Sequence, residues 1–259
     1  MQAEPRTRLE IVPLDGIPEI EPGDDLAARI CDALGARSDL LPLLEDDVLV
    51  VTQKVVSKAE GAIVDLTTIT PRPEAIAFGA AHDRDARQVE VVLQQARRVV
   101  RMAHGVLITE TPHGFVCANG GVDASNVGPR SGDVVLLLPD DPDRSAAGIR
   151  TAIRERFGAD IAVIVSDSFG RPWRNGIVDV AFGVSGLEPI EDLRGTPDHD
   201  GRMMRVTVRA VADELASAAE LALGKSTGKP AALIRRAEIT RGEGSVGDLI
   251  MPAANDLFR

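Results

Sequence analysis

Ile161-Ala-Val-Ile-Val165, running straight into Ser166-Asp-Ser-Phe-Gly-Arg-Pro-Trp-Arg-Asn-Gly176, is the stretch on which the fold reading turns. The apolar run reads as a short strand. It is expected to give out at Ser166, where Asp167 stands beside Ser168. The same design occurs earlier: Gly114-Phe-Val-Cys-Ala118 reads as a strand, and Asn119-Gly-Gly-Val-Asp-Ala-Ser-Asn126 follows it with Asp123 near Ser125. Hard divalent cations take oxygen ligands of this kind, and magnesium in particular uses one or two carboxylates and leaves room for phosphate oxygens. Arg171 and Arg174 add planar forks suited to phosphate or carboxylate. Each Asp read singly is a turn or helix cap. Two Asp-hydroxyl loops after two strands point instead to a shared metal and phosphate site.

Around these strands the signals are mixed rather than strictly alternating. Asp24 and Asp25 open a helix through residue 34, with Leu26, Ile30, Ala33 and Leu34 on one face and Gly35 as its stop. Residues 48–52 form a fully apolar strand. Residues 88–101 read as one helix by period, burying Val89, Val92, Leu93, Ala96, Val99 and Val100. Residues 106–109 and 114–118 are two strands joined by a turn at 111–114, and 133–138 is another. Residues 143–157 form a helix capped by Asp143 or Ser145. A later helix spans 211–223 and ends at Gly224, and a last strand spans 231–234. Proline and glycine mark 194–201 as an exposed loop. The class is α+β, without internal repeats or low-complexity segments.

Composition limits the function. The 259 residues suffice for one large domain or two small ones. A net charge of −11 argues against nucleic acid and anionic membrane surfaces as partners. Six Phe, one Trp and no Tyr leave few stacking platforms for single strands. Cys31 and Cys117 have no zinc spacing and read as buried free thiols in a reducing cytoplasm. The first residues lack an apolar signal core, and no run approaches the ~18 apolar residues of a membrane span. A cytoplasmic location is expected.

Three further segments can carry chemistry. Residues 14–25 are too rich in Pro and Gly for a regular element and read, from spacing alone, as a lead-in loop. After the apolar strand, Lys54 and Lys58 are four apart and share a face if helical, beside Ser57 and a Glu60 able to pair with either. Such a run is ordinarily a solvated face, yet a strand ending in paired lysines also suits phosphate. Gly224-Lys-Ser-Thr-Gly-Lys-Pro230 resembles half of a phosphate loop but ends a helix rather than opening one. His82, His104, His113 and His199 are scattered singly, so each reads as a surface or loop residue. Neither a Gly-x-Ser-x-Gly elbow nor a dinucleotide glycine fingerprint is present.

Five segments occur in order: Leu14-Asp-Gly-Ile-Pro-Glu-Ile20 with Gly23-Asp-Asp25; Val55-Val-Ser-Lys-Ala-Glu-Gly61; Gly121-Val-Asp-Ala-Ser-Asn126; Ser166-Asp-Ser-Phe-Gly-Arg171; and Val206-Thr-Val-Arg-Ala-Val-Ala-Asp-Glu214. Together they resemble the coenzyme F420-0:L-glutamate ligase family, the gamma-glutamyl ligases that finish coenzyme F420. The resemblance runs from about residue 12 to 234. It implies one ligase unit over 1–259 without a fused nitroreductase domain, as a two-domain α+β subunit in an intertwined homodimer. It also implies a reaction in which GTP phosphorylates the terminal carboxylate of F420-0 and the amine of L-glutamate attacks the acyl phosphate. An amide, GDP and phosphate would result, and a further glutamate could be added through a gamma linkage.

By the same resemblance, Ile17, Pro18, Glu19 and Ile20 match a first nucleotide-contacting loop, and Gln53, Lys54 and Lys58 a second, with Lys58 on phosphate. Asp123 and Asp167 match ligands of a divalent ion, Mg2+ or Mn2+, Ser168 a hydroxyl ligand of a second such ion, and Asn126 a nucleotide contact. A potassium ion is a further optional cofactor. Gly224, Lys225, Ser226 and Thr227 fall in a glycine-rich nucleotide loop, where Lys225 departs from an acidic metal-binding residue of some relatives. No general base is identified; His199, Asp198 and Asp200 are candidates by chemistry only. Two other classes explain the acids and lysines without the ordered segments: a metal-dependent phosphatase on a small anionic ester, and a GTP-binding module without turnover.

Overall fold

The computed structural model describes residues 8–125, 127 and 132–257. In chain order the elements are β1 (Glu10–Pro13), α1 (Leu26–Gly35), β2 (Val48–Thr52), α2 (Gln53–Ala59), β3 (Ile63–Asp65), α3 (Pro73–His82) and α4 (Ala86–Gln95). There follow β4 (Arg98–Ala103), β5 (Val106–Glu110), β6 (Val116–Ala118), β7 (Val134–Leu136), α5 (Pro142–Phe157), β8 (Ala162–Gly170) and β9 (Ile177–Ser185). The last are β10 (Glu191–Asp192), β11 (Val208–Arg209), α6 (Val211–Leu223) and β12 (Ala231–Arg235). The architecture is α+β, as expected.

The main sheet has the order β1-β12-β2-β8-β9, with β2 and β8 parallel and every other neighbour pair antiparallel. Both faces are covered, which is why β2 and the first half of β8 are apolar without alternation. Leu49, Val51, Val163, Val165 and Leu233 pack on Ile30 and Leu34 of α1 and Ile149 and Ile153 of α5. Val48, Val50, Ala162, Ile164 and Ile234 pack on the small face of α6, Ala212, Ala216 and Ala219, with Leu215. Each fully buried Leu, Ile or Val contributes about 1.5–3 kcal/mol relative to exposure. A separate core of Ala75, Phe78, Val89, Val92 and Leu107 joins α3 and α4 to the three-stranded antiparallel sheet β4-β5-β6. β3 pairs with β7.

Several expectations are corrected. The helix expected over 88–101 stops at Gln95, where Ala96 turns extended, and the chain continues as β4. Val99 and Val100 are therefore exposed. Their apparent helical period is coincidental: Arg97 N–H donates to the Glu110 carbonyl at 2.8 Å, and β4 zips onto β5. β8 does not give out at Ser166 but runs to Gly170, because β9, unanticipated from sequence, pairs with it throughout. α5 is capped by Asp141, which accepts from Arg144 N–H; Asp143 reaches away to accept from Val184 N–H at 2.7 Å. Gly35 is the last residue of α1 rather than its stop, and the expected strands over 114–118 and 133–138 shorten to β6 and β7. Residues 194–201 are an exposed loop as expected, pinned by a bridge between Pro197 and Met203. Among the described residues no helix is long and apolar enough to cross a membrane.

Candidate functional site

The parallel strands β2 and β8 end at the same side of the main sheet, the usual position for a ligand in a parallel α/β arrangement. A cavity of about 900 Å³ opens there, with Thr52, Ser166, Asp167 and Ser168 in its wall. α2 begins directly after β2, so Lys54 and Lys58 lie one turn apart on its cavity side. Lys54 pairs with Asp123, and the nearly buried Lys58 pairs with Glu19 at 2.5 Å. Glu60 pairs with neither lysine; it accepts from Ser145 Oγ. The loop at 14–25 is irregular, as its Pro and Gly content demands, and it carries Ile17, Pro18, Glu19 and Ile20 to the cavity rim.

Asp123 is placed by a tight turn. Gly120 and Gly121 take φ of 61° and 71°, and a Cβ on Gly121 would stand 2.6 Å from Leu138 Cγ. Only glycine fits both constraints. Beyond the turn, Asp123 exchanges backbone hydrogen bonds with Leu136 at 3.0 and 2.8 Å, and its carboxylate accepts from Ser125 N–H at 2.7 Å. Burial works to raise the Asp123 pKa, but the Lys54 ammonium together with the hydrogen bonds from Ser125 outweighs it and the net shift is downward.

On β8 the side-chain alternation splits the site in two. Asp167 continues the Val163–Val165 face, toward Asp123 and Lys54; Ser168 continues the Ala162–Ile164 face, toward α6. Burial, with Asp123 and Asp179 adding like charge and Lys54 opposing, pushes the Asp167 carboxyl up to about 6. Ser168 stands opposite Asp179 of β9 and donates to its Oδ1 at 3.1 Å. Gly224, at φ 63°, turns the chain out of α6 and brings Lys225 back across the site. Lys225 Nζ donates to Ser168 Oγ and to Asp179 Oδ1, both at 2.7 Å, and lies 3.4 Å from Glu220. Burial tends to lower the Lys225 pKa, but the Asp179 and Glu220 carboxylates raise it above the ordinary value.

A sequence profile described as F420-0:Gamma-glutamyl ligase matches residues 16–236. Proteins named coenzyme F420:L-glutamate ligase are similar along nearly the whole chain. The one from Methanopyrus kandleri is 43% identical, covering 98% of both chains, and the one from Methanothermobacter thermautotrophicus 41%, covering 97% of this chain and 99% of its own. The Methanocaldococcus jannaschii protein is 41% identical over 84% of this chain and 86% of its own. The chain belongs to the F420-0:gamma-glutamyl ligase family. Membership makes it a ligase.

Most of the ligase site residues expected from sequence meet at this cavity: the 17–20 loop, Lys54 and Lys58, Asp123, Asp167 and Ser168, and Gly224, Lys225 and Ser226. Gln53 does not reach it. Its side chain is fully buried and donates to the Leu137 carbonyl at 3.0 Å, tying α2 to the segment after β7. Thr227 Oγ1 is turned back onto the Leu223 carbonyl. Asn126 lies outside the described residues. Arg171 and Arg174 sit at the β8–β9 hairpin tip, outside the cavity wall, and Asp198, His199 and Asp200 stand on the exposed loop after β10. Asp179 is the residue sequence reading missed. Its signal was its register: paired across the hairpin from Ser168, it is the one charged residue in the strand.

The donor set suits a divalent cation. Asp123, Asp167 and Asp179 are close enough for each neighbour to raise the Asp167 pKa, so the cluster favours added positive charge. Among the described residues no group of three or more His, Cys, Asp or Glu side chains is arranged to hold a metal ion by itself.

Proposed function

We propose that the protein is a GTP-dependent ligase that joins L-glutamate to coenzyme F420-0 through an acyl phosphate, forming F420-1 and longer gamma-glutamyl tails. The observation that carries this reading is the convergence of the 17–20 loop, the α2 lysines, Asp123, Asp167 and the 224–226 loop on one cavity, in a chain of this family. A carboxylate is a poor electrophile and every reacting group is anionic, so catalysis rests on positioning and charge neutralisation.

In the proposed reaction a carboxylate oxygen of F420-0 attacks the γ-phosphorus of GTP, and GDP leaves with the electrons of the broken P–O bond. The glutamate amine then attacks the acyl carbon; the C–N bond forms, the C–O bond breaks, phosphate departs and the ammonium proton passes to solvent. Lys58 and Lys54 hold phosphate oxygens. Asp123 and Asp167 would hold Mg2+ or Mn2+, and Ser168, on the other face of β8 beside Asp179, would face a second ion. The ion supplies charge neutralisation at the transferring phosphoryl group. Lys225 fixes a positive charge beside Ser168, replacing part of the charge a second ion would bring. By the same resemblance the working form is an intertwined homodimer of two-domain subunits, acting on soluble small molecules in the cytoplasm.

The test is mass spectrometry of the purified protein with F420-0, GTP, L-glutamate and Mg2+ or Mn2+. Products heavier by glutamyl units, requiring GTP and metal, are expected. GTP loss without an adduct would instead identify a phosphohydrolase, and bound GTP without turnover a sensing module. Lys58→Ala is expected to weaken GTP binding about tenfold, the loss of one charge-assisted phosphate contact. Unaltered GTP affinity by calorimetry removes Lys58 from the nucleotide site.

A further inference from the structure

A second cavity, of about 400 Å³, adjoins the first, and the two share Asp123 and Ser125 as a common wall. Its floor is apolar, built from Val89, Val92 and Leu107 of the smaller core. Its remaining polar residues are Arg84, Gln88 and Asn119.

Arg84 is held at a tight corner. α3 ends at Asp83 in the left-handed region, φ 53°, and Arg84 N–H donates to the Gly79 carbonyl at 3.0 Å. A Cβ at Gly79 would lie 2.7 Å from the Arg84 carbonyl oxygen, so the corner depends on that glycine. The neighbouring arginines are committed to carboxylates: Arg72 to Glu90, Arg87 to Asp85, and Arg97 and Arg98 to Glu110. Arg84 makes no ion pair among the described residues. In the first cavity, by contrast, Lys54, Lys58, Lys225 and Lys229 each pair with a carboxylate of the chain. Across the second cavity Asn119 adopts φ 53°, and its Oδ1 is buried without a partner among the described residues. A polar group in that state is commonly functional.

We propose that this second cavity is the amino-acid pocket, in which Arg84 clamps a carboxylate of L-glutamate and directs its amine to the Asp123–Ser125 wall. The inference rests on the ligase reading above. A dicarboxylic amino acid needs a cation not already neutralised by the chain, and a guanidinium fork matches a carboxylate in two-point geometry. Its methylenes need an apolar floor, and its amine must reach the acyl carbon without crossing the nucleotide. The shared lining bears on that last requirement: Asp123 and Ser125 belong to both cavities, so a group in the second lies next to the phosphoryl-transfer site proposed in the first.

The test titrates L-glutamate at saturating GTP and F420-0 in the wild-type protein, Arg84→Ala and Arg84→Lys, reading glutamyl product by mass spectrometry. Arg84→Ala is expected to raise KM for glutamate by roughly ten- to a hundredfold, as loss of a charge-assisted contact does, with KM for GTP shifted less than twofold. Arg84→Lys recovers part of the loss, and Arg84→Ala also narrows the preference for L-glutamate over L-glutamine. An unchanged KM for glutamate in Arg84→Ala, with product still formed, overturns the pocket while the ligase reading stands. An equal rise in KM for GTP and for glutamate also overturns it, because the substitution then acts on the whole site. No glutamyl product from the wild-type protein overturns the ligase reading and the pocket with it.

Discussion

Asp167→Asn is expected to lower glutamyl transfer at least about a thousandfold, the scale of removing a central electrostatic group, while the melting temperature stays level or rises. The two signs come from one geometry. Asp167 shares its surroundings with Asp123 and Asp179, and Lys54 and a backbone hydrogen bond from Ser168 oppose their effect. A neutral amide of the same shape relieves that repulsion in the folded chain and removes the charge that would hold a metal and its phosphates. Asp123→Asn should lose activity on the same scale but with the opposite stability sign, because it removes the carboxylate that Lys54 pairs with. With both side chains about a quarter exposed, that loss is about 1 kcal/mol or less. Product formation by mass spectrometry and thermal melts measure both quantities. Wild-type turnover in the two variants would remove these aspartates from the site.

The parts of this site legible in sequence are those where local pattern and tertiary role coincide. The runs at 48–52 and 161–165 read as strands because α1, α5 and α6 cover both faces of their sheet. Lys54 and Lys58 share a face because α2 starts directly at the end of β2. Where tertiary pairing decides, the reading fails. Val99 and Val100 extend the period of α4 by accident, and only the pairing of β4 with β5 shows the break. β9 carries Asp179 and Gly183 within its run, two residues that weaken any strand pattern, so both the strand and its site acid went unseen. Neither residue is there for local reasons. Asp179 serves Ser168 and Lys225, and Gly183 serves the approach of α5.

Gly183→Ala is therefore expected to be among the most destabilising single-methyl insertions in this protein. Gly183 is buried and its φ is ordinary, so backbone freedom is not the issue. Space is: a Cβ would lie 2.3 Å from the Pro142 carbonyl oxygen and 2.5 Å from its carbon, both rigid backbone atoms of the first turn of α5. That turn cannot simply retreat. Asp143, one residue on, accepts from Val184 N–H at 2.7 Å and lies 3.2 Å from Val246 N, pinning α5, β9 and the C-terminal segment together. Relief then requires moving β9 against β8 beside the point where their register shifts, between Val165 and Ser166. The strand that moves is the one holding Asp179 opposite Ser168. Overpacking of this kind costs about 3 kcal/mol, which at this chain length lowers the melting temperature by roughly 6–12 °C. Turnover should fall at temperatures where the variant is still folded. Gly148→Ala supplies the control: it lies within α5, exposed, with open space at its Cβ, and should be neutral or stabilising by about 0.5–1 kcal/mol. Equal melting temperatures for the two variants would show that α5 does not lean on Gly183 and would separate the integrity of the Ser168–Asp179 pair from that contact.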